Sequence, residues 1–370
     1  MGRNILYWNP VIGQLEHLSE VIIYGAGVMG KALKTCLTEE PYNLHITCFL
    51  VEDTASNPHY VDDIRVIGIR NAGQYKDSLV LVGLHEKHIG RAIENLSREG
   101  FTNILPVTFD GDVWSDIRGN WFRYKRLSAH RVYNDVESVL GSKVHVYVVH
   151  SEFDKKLKSA ERLRDYEIPL QAGAALTDER MCLIRDNQGE NISEKNRQYC
   201  ELTALYWIWK NDASEYAGLC HYRRRFAVSN EQMSKLAQSD VDVMVTVPVL
   251  NFPNVRQQYA MDHSGKDWDI LSEAIDALCP AYKERMESVQ NGNYYYAYNM
   301  FIARKEILEK YCEWLFPILQ FCEEKIGSKS DSYQNRYIGF LAERLLTVFL
   351  EYHKEYKVVI SRKHFLESET

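Results

Sequence analysis

His221, Tyr222, Arg223, Arg224 and Arg225 follow one another where a short apolar run, residues 216–220, gives out. Adjacent guanidinium groups suit an anion, because the planar fork of arginine matches phosphate oxygens two at a time, and the imidazole and phenol add hydrogen bonds. An apolar run of this length predicts a strand. In an open α/β sheet, ligands bind in the crevice at the carboxyl ends of strands, so the cluster is expected to face an anionic ligand. A solvated basic turn after an edge strand fits the same residues, since runs of charge usually face water.

Other residues compete for a chemical role. Asp240 and Asp242 stand at the start of the run VDVMVTVPVL, the wrong end of a strand for a sheet ligand site, whereas Asp267 and Asp269 flank Trp268 and form the better pair for manganese or magnesium. The strand ending in CHYRRRF carries no Asp-x-Asp, so cationic side chains are expected to neutralise a leaving group there, and no metal ligand is assigned. Candidate general bases are His263 and Asp267, in a polar stretch after a strand, and Glu343 in GFLAERL. A glutamate beside an arginine in an apolar helix fits a buried ion pair as well as a functional acid. Near the amino terminus, Gly25, Gly27 and Gly30 form a G-x-G-x-x-G turn between a short apolar strand and a helix, with Glu52 and Asp53 ending the next strand. That arrangement can hold a phosphate at the helix start and a ribose on Asp53; a purely structural tight turn fits it too.

The elements that must position these residues are legible as alternating apolar strands and helices. EVIIY, LHITCFLVED, SLVLVGL and NILPV predict strands of a parallel half-Rossmann sheet, with helices after the glycine turn and over HIGRAIENLSREG. Residues 107–142 show little periodicity and read as a connecting segment, helical over 124–139. Strand signals restart at KVHVYVVHSEF, continue through IPLQAGAAL, residues 216–220, VDVMVTVPVL, NYYYAYNMFIAR and KVVIS, and give way to helices over 202–209, 307–326 and 336–356. Ser193 is placed to cap a helix start. The division expected is a Rossmann-like module over 1–110, a connector over 111–142 and a larger α/β domain with a helical carboxyl-terminal part over 143–370.

The runs ISEKNRQYCELTALYWIWKN, GLCHYRRRF, YYYAYNMFI, YCEWLFPIL and RYIGFLAERL occur in one order across residues 143–365. Together they resemble a bacterial family first catalogued as domain of unknown function 4422, associated with glycosyltransferases of capsular, exo- and O-antigen polysaccharides. The resemblance implies a GT-A-like nucleotide-diphospho-sugar transferase fold, a nucleotide-sugar donor, with galactofuranose one sugar that relatives suggest, and a glycan or lipid-linked acceptor. It gives weight to Asn196, Tyr199, Glu201, His221, Tyr222, Arg223, Arg224, Asn299, Glu343 and Arg344, which stand in the recurrent motifs. Of these, Asn196, Glu201, His221, Tyr222, Arg223, Arg224 and Asn299 are expected to bind the donor. Arg225 falls at a variable position, and the first 130 residues or so lie outside the resemblance.

Composition narrows the alternatives. A formal net charge of −7 and a pI near 6.0 argue against a dedicated nucleic-acid binder, which would show a basic domain or stripe. The first residues lack the pattern of a secretory signal, and no apolar run reaches the length of a membrane span, which leads to a cytoplasmic expectation. A lipid-linked acceptor would then be met by peripheral contact at the inner membrane face, through exposed aromatic and basic residues. Eight cysteines without a C-x-x-C pair are expected to be buried thiols. Two other functions remain open at this level. An NAD-dependent nucleotide-sugar oxidoreductase or epimerase would use the glycine turn, although no Tyr-x-x-x-Lys pair accompanies it. A non-catalytic module of a polysaccharide-assembly complex would use the many aromatic residues.

Overall fold

The computed structural model describes residues 10–125, 144–159 and 161–369. The chain divides into two compact units, Met1–Leu127 and Ser128–Thr370. In the first, the apolar runs fold as β1 (Glu20–Tyr24), β2 (His45–Val51), β4 (Ile64–Gly68), β5 (Val80–Gly83) and β6 (Ile104–Val107), with a two-residue β3 (Tyr60–Val61) at the edge. The order is β3-β4-β2-β1-β5-β6, parallel throughout except for β3. Helix α1 (Val28–Leu37) joins β1 to β2 and α2 (Glu86–Arg98) joins β5 to β6. A parallel sheet is covered on both faces, so its strands must be apolar on both sides. Val21, Ile22 and Ile23 are accordingly all buried, and Ile22, Val80 and Val82 share a core with Ala92 and Leu96 of α2.

The stretch read as a connector begins with a helix of the first unit, α3 (Asp112–Lys125). Trp114, Ile117, Trp121 and Phe122 are buried, and Asn120 Nδ2 donates to the Tyr42 hydroxyl at 3.3 Å. Beyond Lys125, the helix expected over 124–139 lies outside the described residues.

The second unit is built on a mixed sheet of β7 (Val144–His150), β8 (Glu167–Gln171), β9 (Ile184–Arg185), β10 (Tyr216–His221), β11 (Arg224–Phe226), β12 (Val243–Thr246), β15 (Phe301–Arg304), β16 (Val358–Ser361) and β17 (Lys363–Phe365). β13 (Val249–Leu250) and β14 (Tyr294–Tyr295) pair separately. β7 runs parallel to both β8 and β10, and β12 to β16, while β15 is antiparallel to β10 and to β12. The carboxyl ends of β7, β8, β10, β12 and β16 therefore share one edge. β15 enters the sheet from that edge, which brings residues 298–300 to it.

Around the sheet lie α4 (Asn196–Tyr199), α5 (Leu202–Asn211), α6 (Asn230–Gln238), α7 (Val255–Asp262), α8 (Gly265–Leu278), α9 (Lys283–Asn291), α10 (Lys305–Ile326) and α11 (Tyr337–Tyr352). α6 opens with a capping box, in which Ser229 and Gln232 satisfy each other's backbone N–H groups. Ser193 does not cap a helix side chain to backbone as expected. Its Oγ donates to buried Asp186 at 2.5 Å and accepts from Ala175 N–H at 3.0 Å. No described helix is long and apolar enough to cross a membrane. All eight cysteines are free thiols, five of them buried.

Candidate active site

The tyrosine-rich run does not form one strand. It breaks between β14 and β15 at Tyr298 and Asn299, two consecutive residues with left-handed φ of 72° and 51°. Non-glycine residues there cost about 1–3 kcal/mol each and persist only where their surroundings over-determine them. Four side chains from separate elements supply that constraint. His221, the last residue of β10, bonds through Nε2 to the Tyr298 carbonyl oxygen at 2.8 Å. Since a carbonyl can only accept, Nε2 carries the proton and Nδ1 of the neutral ring keeps its lone pair. Glu343 on α11 accepts the Tyr298 N–H at 3.1 Å. Asn299 Nδ2 donates to Glu201 Oε1 at 2.6 Å, just ahead of α5. Lys363 of β17 donates from Nζ to the Tyr298 hydroxyl at 3.1 Å.

The electrostatics follow from burial. Desolvation holds the His221 pKa below the ordinary histidine value, against the partial opposition of nearby Glu201. The same desolvation raises Glu343 above the ordinary glutamate range, although Arg344 lies 2.8 Å from its Oε2 and pulls the other way. The three arginines after β10 have separate fates. Arg224 places its guanidinium 4.8 Å over the Tyr298 ring and 5.4 Å over Phe365. Arg223 lies 5.0 Å over Phe365 and donates to Ser368 Oγ at 2.8 Å. Arg225 turns inward to Glu167 at 3.3 Å, where both side chains are buried and Arg164 completes the network. It holds β11 to β8 and offers nothing to a ligand.

Tyr222, Asn196 and Tyr199 act on the frame around this turn. The Tyr222 hydroxyl accepts Lys155 N–H at 3.1 Å and so fixes the loop after β7, where Asp154 also meets His150 at 3.1 Å. Asn196 donates to Cys200 O and Thr203 Oγ1, and a Cβ added at Gly173 would lie 2.7 Å from its Oδ1, so it fills the turn after β8. Tyr199 donates to Glu323 at 2.8 Å.

The other expected acids and bases lie elsewhere. Asp267 is buried in the first turn of α8 and ion-paired with Lys329, while Asp269 is exposed and paired with Arg256 at 2.7 Å. Their carboxylates are each committed and do not converge. His263 ends α7, stacked 4.1 Å from Phe340, and burial together with Arg344 pulls its pKa down to about 4. Asp240 and Asp242 sit at the opposite edge of the sheet, engaged by Lys357. Among the described residues, no group of three or more His, Cys, Asp or Glu side chains is arranged to hold a metal ion. Lys363 and Phe365 were missed in the sequence. Their signal was available in KVVISRKHF, where cations and an aromatic ring follow a strand that ends on the ligand edge.

In the first unit, Gly25 and Gly27 line a cleft of about 370 Å³ at the carboxyl ends of β1, β2 and β5. Gly30 packs beneath it. The acidic residue at the cleft is Glu52 and not Asp53. Asp53 is exposed and spends its carboxylate on Ala55 N–H at 2.9 Å and Ser56 Oγ at 2.5 Å, a local turn that points it away from ligand duty.

The family model described as a domain of unknown function, DUF4422, matches residues 146–355. Among solved structures, the apo structure of WbbM, a bifunctional glycosyltransferase, is 26% identical with a TM-score of 0.55, covering 62% of this chain and 46% of that one. The chain thus spans less than half the length of that protein. Two structures of RSP, a Rex-family repressor, one of them in complex with β-NAD+ and operator DNA, are 13% and 12% identical. Each covers 32% of this chain, and 62% and 65% of their own, at TM-scores of 0.22 and 0.23, too low to establish a common fold. No curated protein matches the chain.

Proposed function

This chain belongs to the family of DUF4422 domains, and from that premise we propose that its second unit is a glycosyltransferase. It moves a hexose from a nucleotide-diphosphate donor to a glycan or lipid-linked glycan in bacterial surface-polysaccharide synthesis. The similarity to WbbM supports the reaction class. The observation that carries the reading is the convergence of Glu201, His221, Asn299 and Glu343 on the strained Tyr298 turn at the ligand edge.

Each group has a task in such a transfer. Arg223, Arg224 and Lys363 offset the charge that develops on the leaving diphosphate as the bond from the anomeric carbon to its oxygen breaks. As the acceptor oxygen bonds to that carbon, its proton passes to Nδ1 of His221, the lone-pair nitrogen. Glu201 favours the resulting imidazolium, and Glu343 holds the Tyr298 peptide that fixes the ring. A lowered pKa keeps His221 in the neutral, accepting form at pH 7.

The test is transfer and hydrolysis measured over a panel of UDP-, GDP- and dTDP-sugars, with and without manganese. One donor is expected to turn over. His221→Asn is expected to lower kcat about 10²–10⁴-fold in a chain that stays folded at the assay temperature, as loss of a general base does, and Arg224→Ala to lower kcat/KM at least 10²-fold. A protein inert towards every donor, or a His221→Asn variant as active as the parent, rules the assignment out.

A further inference from the structure

The cleft of the first unit lies where the sheet changes direction. From β1 the chain moves by way of α1 to β2 on one side, and from β5 by way of α2 to β6 on the other, while β1 and β5 are neighbours. Loops that leave adjacent strands in opposite directions open a crevice at the carboxyl ends, the general ligand position of such sheets. The volume of about 370 Å³ falls within the range of small-molecule sites, roughly 300–1,000 Å³.

The three glycines of the turn are required for different reasons. Gly25 has φ +108°, which side chains disfavour, and a Cβ on Gly30 would lie 1.9 Å from the Gly25 carbonyl oxygen. Both are demanded by the protein's own packing. Gly27 is not: its φ of −85° suits any residue, and a Cβ there would meet nothing within 4 Å. It borders the cleft at the start of α1, where no side chain caps the helix and the first turn carries no acid. The open N–H groups and the positive end of the helix are left for something outside the protein. At the end of β2, Glu52 faces the same cleft, paired on Oε1 with exposed Arg91 at 2.8 Å. Among the described residues, those that line the cleft come from β1, β2, α2 and the loops after β1, β2 and β5, and none from β6 or later, a wall that suits one nucleotide.

We propose that this cleft binds a single 5′-phosphorylated ribonucleotide, with its phosphate on the N–H groups beside Gly27 and its ribose 2′,3′-diol on Glu52. The site is separate from the proposed transfer and stands without it. The experiment is calorimetric titration of the full chain with ADP, UDP, UDP-glucose, NAD and the 2′-deoxy forms of ADP and UDP, in the parent, Arg224→Ala, Gly27→Val and Glu52→Gln. The expected result is one ribonucleotide site that survives Arg224→Ala and weakens at least tenfold in Gly27→Val. The melting temperature without ligand should stay unchanged in Gly27→Val. The 2′-deoxy form should bind about tenfold more weakly, a preference that Glu52→Gln removes without unfolding the chain. In Arg224→Ala, tightest binding of ADP, UDP or UDP-glucose supports the single-nucleotide cleft, and tightest binding of NAD overturns it. The proposal also fails if every titration signal disappears in Arg224→Ala, or if Gly27→Val binds as the parent does.

Discussion

His263 shows how position sets the chemistry of a residue. Its ring is half-buried against Phe340 and near the Arg344 guanidinium, so protonation would place a cation in a poorly solvated site beside another cation. With a folded pKa of about 4 against 6.5 unfolded, the unfolded chain binds the extra proton between those values. The stability His263 contributes is therefore present above pH 6.5 and lost as pH falls towards 4. Discounted for partial exposure, the loss is about 1–2 kcal/mol. Melting temperature measured from pH 4 to 8 should fall on the acid side, and His263→Phe should flatten that slope; an equal slope in both proteins would refute the account. The residue type of His263 was plain in the sequence and its stacking partner was not, because Phe340 is brought to it only by the packing of α11. The same holds for Arg225, indistinguishable from Arg223 and Arg224 by type, yet turned inward because it follows Arg224 on β11 and so faces the opposite side, while Arg223 lies in the turn before that strand.

At the level of elements, the register of β10 against β15 decides where His221 meets Tyr298. The two strands pair at Gly218 opposite Ile302, where an added Cβ would lie 2.1 Å from Phe301 O and 2.6 Å from Ile302 Cα. Backbone atoms cannot move aside as a side-chain tip can. Gly218→Ala should cost about 3 kcal/mol and lower the melting temperature by about 6–12 °C. A shift within 1 °C by calorimetry, taken as roughly the error of such a comparison, would mean that the strands are not so close. β10, α5, α10 and α11 were legible in the sequence because their apolar period is strong. β3, β11 and β17 were not, since two- or three-residue strands carry no period and exist only by pairing. The break at Tyr298 and Asn299 was equally hidden, since tyrosine and asparagine in an apolar run favour continued strand until side chains from elsewhere hold the turn.

For the whole molecule, the two compact units each carry a separate core. Two heat-absorption transitions are expected in calorimetry. Gly30→Ala, with its 1.9 Å clash, should lower the one belonging to Met1–Leu127, and Gly218→Ala the other. A single transition moved equally by both would contradict that expectation. By itself the sequence determined the α/β class, the glycine turn, the anion-suited cluster after β10 and the motif residues, because local period and residue type are written along the chain. Only the tertiary structure decided that Glu201, His221, Asn299, Glu343 and Lys363 hold one strained turn, that Asp267 and Arg225 are tied up in buried ion pairs, and that Glu52 takes the cleft in place of Asp53. Those outcomes depend on which distant side chains reach each other across the sheet, and contact between residues a hundred positions apart leaves no local pattern to read.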